Sequence, residues 1–250
     1  MLIDLVAIMG VALLSSDAGG ALRRPPSSED ARLRAMRRAV RDGMCTSDVE
    51  DAAISALGGD FASIYGEITP RGVSTLGTHL GLGPADEFVD CGSGLGRVVV
   101  QAAAEFGCRR ASGIEYAVSR HELAVAAFGR RDGGDADDLG TRVSFVRGDC
   151  ADASVWQENG LDASTVAYVS NLLFDQHLNA RVKRLLEATP ALRAVASLKR
   201  FAAPLAGFRE PCEVLCETSW SAPLVVVGDG GEQPHAGSPV FVYERDFRRT

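Results

Sequence analysis

The sequence predicts an α/β fold: a mostly parallel seven-stranded sheet flanked by helices, behind a small helical N-terminal region. Three observations predict it. From residue 86 onward, apolar strand-like runs alternate with helical patterns, the rhythm of strand–helix–strand crossovers. The first run, FVDC, passes directly into a glycine turn, GSGLG, and then into the apolar stretch RVVVQAAA. The chain has 250 residues of which 46% are apolar, enough to bury a core of that size.

The elements follow in order. Residues 1–20 carry an apolar run from Leu5 to Leu14 that is too short to span a bilayer as a helix. The only early charge is Asp4, whereas a secretory leader starts positive, so a targeting leader and a packing N-terminal helix both stand as readings. Residues 21–84 read as a helical region. After Pro25 and Pro26, residues 29–42 suit an arginine-rich helix capped by Ser27 or Ser28. Residues 46–57 suit a second helix, capped by Thr46 or Ser47 and broken by the GGD that follows. FASIYGEITPRG, residues 61–72, reads as an irregular loop, and VSTLGTHLGL as a short helix stopped by GLGP.

Residues 85–250 hold the sheet. EFVDC is the first strand, and GRVVVQAAAEFG the helix after it. Residues 111–115 form the second strand, VSRHELAVAAFGRR a helix, RVSFVRGD the third strand and STVAYVSN the fourth, ending at Asn171. DQHLNARVKRLLEAT is an amphipathic helix and ALRAVASLKRF the fifth strand. PCEVLCETSW and SPVFVYERDF close the set as alternating strands.

The net charge of −7 argues against sequence-independent DNA binding by the body of the protein. One local exception is the segment from Arg23 to Arg41, where residues 22–41 carry seven arginines against Glu29 and Asp30. None of the six cysteines forms a C-x-x-C pair or sits at metal spacing from a histidine. No metal is expected, and the thiols read as buried or semi-buried in a reduced, intracellular chain. His79, His121, His177 and His235 are scattered and suggest no nucleophilic triad.

The glycine turn carries the chemistry. A dinucleotide turn of G-x-G-x-x-G counted from Gly92 would need glycine at position 97, which is Arg97. The glycines fall instead at Gly92, Gly94 and Gly96, with Ser93 between the first two and Asp90 before them. A carboxylate at a strand end repels a pyrophosphate but suits an ammonium, while the following helix N-terminus suits a carboxylate. A ligand with both groups ends in an amino acid, as S-adenosyl-L-methionine does. Its ribose diol then asks for an acid after strand two, supplied by Glu115, and its adenine amine for an acceptor after strand three, supplied by Asp149.

With FVDCGSGLGRVVVQAAA in view, residues 61–247 resemble the non-SET histone-lysine methyltransferases named for disruption of telomeric silencing. IYGEIT resembles the family's cofactor-covering loop, GIEY and VRGD its strand-end acids, AYVSNLLF its strand-four stretch and SPVFVYERD its last strand. The resemblance implies a Rossmann-like class I methyltransferase fold. It also implies that Tyr65 and Glu67 lie over the cofactor. Asp90, Gly92, Ser93, Gly94, Gly96 and Glu115 would hold the methionine and ribose, and Asp149 and Cys150 would face adenine. Asn171 or Ser170 would aim the substrate amine, and Phe174 and Tyr243 would line its channel. Departures from the family pattern include Ser170 for an asparagine, Cys150 for an aromatic residue and Arg97 for a glutamine. The Asn-Pro-Pro-aromatic run that adenine and glutamine methyltransferases place after strand four is absent.

The expected activity is lysine N-methylation of histone H3 within its globular core, on nucleosomes in the nucleus, with the Arg23–Arg41 segment contacting DNA. A non-histone protein lysine or a small-molecule amine, and a non-catalytic cofactor-binding module, are the alternatives. Their setting would be cytoplasmic, or organellar if residues 1–20 are a leader.

Overall fold

The computed structural model describes residues 48–59, 66–129, 139–221 and 237–247. Residues 1–20, the Arg23–Arg41 segment and Tyr65 lie outside the described residues. Strands β1 (Glu87–Cys91), β2 (Arg110–Glu115), β3 (Val143–Arg147), β4 (Val166–Val169), β5 (Ala194–Ser197), β6 (Cys212–Cys216) and β7 (Ser238–Glu244) form one sheet. Their order is β3-β2-β1-β4-β5-β7-β6. The first five are parallel, and β7 runs antiparallel between β5 and β6. The helices are α1 (Asp48–Gly58), α2 (Pro70–Leu80), α3 (Arg97–Phe106), α4 (Val118–Gly129), the short α5 (Leu139–Arg142) and α6 (Ala153–Glu158), and α7 (Gln176–Glu187).

Side chains alternate across the sheet with a period of two, so neighbours on β1 feed different cores. Phe88 joins Val166, Ala196 and Val242 beneath α2 and α3, which contribute Leu76, Leu80, Val99 and Val100. Val89 joins Ile114, Ala167 and Val169 beneath α7, which contributes Leu178, Val182 and Leu186. Both faces are covered, which is why the central strands read as nearly unbroken apolar runs. The strand order reverses between β1 and β4. That switch point opens a crevice beyond the carboxyl ends of the strands, the place where open α/β sheets bind ligands.

Four details differ from the sequence expectation. Helix α2 begins at Pro70 rather than at residue 73, because Thr69 Oγ1 accepts a hydrogen bond from Gly72 N at 3.2 Å and proline suits the first helical position. Strand β5 is only four residues long, since Ser197 Oγ donates to Lys199 O at 3.0 Å and closes a turn at its end. Helices α5 and α6 and a 3₁₀ turn at Leu161–Ala163 were not foreseen, being too short for a hydrophobic period to register. Cys212 is exposed, against the expectation of buried thiols, because it opens the edge strand β6; Cys91, Cys108, Cys150 and Cys216 are buried as free thiols.

Candidate cofactor and active site

β1 ends in a turn whose glycines Gly92, Gly94 and Gly96 have φ of 83°, 53° and 75°, the left-handed region that favours glycine. The turn is anchored on β2: Gly92 N and Ser93 N both donate to Ile114 O, at 2.9 and 3.0 Å. Space adds a second reason for glycine at residue 96. A Cβ there would stand 2.2 Å from Phe145 Cε1, whereas one at residue 92 would meet Phe174 and Ser170 at ordinary contact distances of 3.5 and 3.6 Å.

Two cavities open over this turn. The larger is walled by Ile54, Leu57, Glu115, Asp149, Cys150 and Phe174. The smaller is walled by Glu67, Asp90, Ser93, Arg97, Tyr168 and Ser170. Gly66, Gly92, Gly94 and Ser170 border both, so the two are compartments of one crevice. Helix α1 roofs the larger one. It is fixed there by Ser119 N donating to Glu50 Oε1 at 2.8 Å and Asp175 N donating to Gly58 O at 2.7 Å.

The acids in the two compartments differ. Asp90 is 1% exposed, and its Oδ1 has no hydrogen-bond partner among the described residues. Burial, and then the negative charges of Glu115 and Glu67, push its carboxyl well above the usual range. Glu67 sits in the covering loop. That loop is pinned by Glu67 N donating to Ser219 Oγ at 3.0 Å, Ser219 N donating to Glu67 O at 2.8 Å, and an Ile68–Thr218 bridge. Burial pushes the Glu67 carboxyl up to about 7, against the pull of the Arg97 guanidinium that donates to it through Nη1. Glu115 accepts from Gly94 N and Ala117 N, each at 2.8 Å and on different oxygens. Each oxygen therefore keeps a lone pair for a ligand hydroxyl. Asp149 accepts from Ala151 N at 2.8 Å and from Arg181 Nη2 at 2.6 Å.

Most of the residues singled out from the sequence thus meet in one crevice. Two do not. Asn171 is fully buried, and its amide donates to Asn179 Oδ1 at 2.7 Å and Lys199 O at 3.1 Å while Oδ1 accepts from Lys199 N at 2.9 Å. It clamps the end of β4 to the segment after β5. Tyr243 points to the α7 side of the sheet, where its hydroxyl accepts from Phe201 N at 3.1 Å, and it lines a different cavity beneath the 200–211 loop. Of the proposed amine-handling residues, Ser170 and Phe174 remain at the crevice.

Sequence reasoning missed Tyr168, Ile54, Leu57 and Arg181, and noted Arg97 only as a departure. For Tyr168 there was a signal. It lies two residues before Ser170, on the same face of β4, and pairs in register with Asp90.

The strand order with β7 inserted antiparallel, and an acid above a glycine turn at the switch point, define a Rossmann-like class I methyltransferase fold. A solved structure of TrmN from Thermus thermophilus shares that fold with a TM-score of 0.50 and 19% identity, over 72% of this chain and 49% of that one. The family model described as "Histone methylation protein DOT1" matches residues 60–209, more than half of the chain, which therefore belongs to that family. A relative from Candida glabrata named "Histone-lysine N-methyltransferase, H3 lysine-79 specific" is 31% identical over 150 residues, 56% of this chain and 22% of that protein. One of the same name from Mycosarcoma maydis is 30% identical over 174 residues, 66% of this chain and 20% of that protein. The chain thus spans about a fifth of the length of these curated relatives.

Proposed function

We propose that this protein is an S-adenosyl-L-methionine-dependent protein-lysine N-methyltransferase, acting on histone H3 at a lysine of the globular core in nucleosomes. One observation carries the reading. The stretch that matches the family, residues 60–209, contributes every wall of the crevice except Ile54, Leu57 and Gly58.

The residues present fit the cofactor. A buried carboxyl oxygen without a partner among the described residues suits an ammonium, and Glu115 retains lone pairs for a diol. Asp90, Gly92, Ser93, Gly94 and Gly96 would hold the amino-acid end and Glu115 the ribose. Asp149 and Cys150 would border adenine, with Arg181 fixing the Asp149 carboxylate. Glu67, and by family resemblance Tyr65, would cover the cofactor. When bound, the cofactor supplies an electrophilic methyl carbon on a sulfonium.

The chain's own task is to place a neutral amine and keep water out. Correct placement of two reactants can supply on the order of 7–11 kcal/mol of the barrier. Phe174, half-buried on the wall of the larger compartment, offers an apolar surface that disfavours a charged amine and so lowers its pKa. Ser170, on the wall shared by both compartments, offers a hydroxyl that can accept a hydrogen bond from that amine. No strong base is then required.

The histone substrate, nuclear residence and DNA contact through Arg23–Arg41 belong to this reading. A second reading, a non-histone protein lysine or a small-molecule amine, is favoured by Ser170 standing where the family has asparagine and by Tyr243 lying outside the crevice. Labelled-methyl transfer to reconstituted nucleosomes, to free histones and to a cell extract tests the choice. The expected result is transfer to nucleosomal H3, mapped by mass spectrometry to a core lysine, lost in Asp90→Ala and falling with salt as phosphate contacts are screened. Transfer to extract proteins with none to nucleosomes overturns the histone assignment.

A further inference from the structure

Away from the crevice, two reactive side chains meet that lie 133 residues apart in sequence. Cys212, the first residue of β6, places Sγ 3.4 Å from Nε2 of His79, which stands in the last turn of α2. Both residues are exposed. β6 is an edge strand of the sheet, and the chain just past His79 is open: a Cβ at Gly81 or Gly83 would meet nothing within 4 Å among the described residues. The sulfur thus has a basic partner beside it and room for an incoming molecule.

Cys91, Cys108 and Cys216 make the contrast. The hydrogen bond with Cys150 and burial push the Cys91 thiol well above its ordinary value, and burial pushes those of Cys108 and Cys216 up to about 11. The attacking form of a thiol is the thiolate, which these sites withhold at neutral pH. Cys212 differs in exposure and in its neighbour. When Nε2 is the unprotonated ring nitrogen, the thiol donates to it and the imidazole can take the proton. Charged groups on the surrounding elements are engaged elsewhere. Glu244, two residues beyond the Val242 that pairs with Cys212, binds Arg209 at 3.5 Å, and Arg193, at the end of α2, binds Asp86 at 2.8 Å. Glu213 alternates to the opposite face of β6.

We propose that Cys212 and His79 form a thiol–imidazole pair that reacts with small disulfides such as glutathione disulfide, which makes Cys212 a site of reversible S-thiolation. The thiol proton passes to His79 Nε2, and the Cys212 sulfur attacks one sulfur of the disulfide. A new S–S bond forms as the old one breaks. The Cys212 sulfur is oxidised, and the departing thiolate, the reduced product, recovers the proton from the imidazolium.

Incubation of the full chain with glutathione disulfide, followed by peptide mass spectrometry, reads each cysteine separately. At about pH 7, Cys212 of wild type is expected to gain a glutathionyl group about 3- to 10-fold faster than N-acetylcysteine, a thiol with no imidazole beside it; the gain in thiolate is partly offset by lower nucleophilicity. His79→Gln, which keeps a polar side chain but cannot take the proton, is expected to lose that advantage at about pH 7. At about pH 10, above the ordinary thiol value of about 8.5, the variant should match wild type. A merely structural role for His79 would slow both pH values alike. Adducts at Cys108 and Cys216 in the same map report unfolding, so a damaged fold does not imitate the result. No adduct at Cys212, a wild-type rate no higher than that of N-acetylcysteine, or a variant as fast as wild type at about pH 7 overturns the proposal.

Discussion

Asp86 and Asp90 lie four residues apart at the two ends of β1, and the protein treats them in opposite ways. Asp86, just before the strand, is saturated. Arg193 donates to it through Nε and Nη2, both at 2.8 Å, Thr165 Oγ1 donates at 2.8 Å and Gly83 N at 3.0 Å. Burial pushes its carboxyl up, but those hydrogen bonds and the guanidinium charge outweigh it and hold the group below its usual value. Asp90 is more deeply buried, faces two other acids and leaves an oxygen unpaired, and its carboxyl is pushed the other way. The first acid ties the amino ends of the strands to the end of α2, since Arg193 also donates to Leu80 O at 2.9 Å. The second makes no such tie: its Oδ1 has no hydrogen-bond partner among the described residues.

The contrast can be broken from the stabilising end first. Arg193→Ala removes the partner of a buried carboxylate and should have the largest effect on stability. Losses of 3–5 kcal/mol are typical when a buried pair is split, and the 36% exposure of the arginine side chain brings the expectation down to about 2–3 kcal/mol. Denaturant unfolding measures it. A loss no larger than a surface substitution produces would mean that Asp86 relaxes into solvent.

Glu67→Gln sharpens the other end through its pH dependence. The Glu67 carboxyl titrates near 7 in the folded protein, above the ordinary value of 4.5, so the folded state binds its proton more tightly than the unfolded chain does. Stability from this group is fully present below pH 4.5, falls as the pH rises toward 7, and is flat above it. The variant lacks that slope. The difference in melting temperature, variant minus wild type, should be near zero at acid pH and grow in favour of the variant up to neutrality. A difference independent of pH would show that the Glu67 carboxyl titrates alike in the folded and unfolded states.

Tyr243→Phe should do least. It frees the buried N–H of Phe201 and is expected to cost about 1 kcal/mol in stability. Affinity for S-adenosylhomocysteine should remain within about twofold, well below the tenfold that 1.4 kcal/mol would produce. A tenfold loss of affinity would place Tyr243 at the cofactor crevice, from which the fold separates it.

What the sequence revealed follows from how local each signal is. The seven strands and the long helices were legible because their apolar periods run through consecutive residues, and the glycine turn because positive φ leaves a mark on residue type. Asp90, Glu115 and Asp149 were legible because each sits at a strand end. Ser170 and Asn171 illustrate the limit. They are adjacent in sequence and equivalent on paper, yet one faces the crevice and the other is consumed by Asn179 and Lys199, eight and 28 residues away. Tyr243 shows the same limit on a strand, where a single step of register decides the face. Tyr168 was missed for a different reason: its place on the crevice wall is defined by what surrounds it in space, and an aromatic residue in an apolar strand reads as core.

The most direct measurement is the affinity and the stability of Asp90→Asn set side by side. Asparagine keeps the shape of a buried carboxyl that already resists ionisation, so the cofactor-free protein should be as stable as wild type or melt at a higher temperature. Binding of S-adenosylhomocysteine should weaken by about 10- to 100-fold for want of a counter-charge to its ammonium. A variant that loses stability and keeps its affinity would place Asp90 alongside Asp86 as a structural acid and contradict the account.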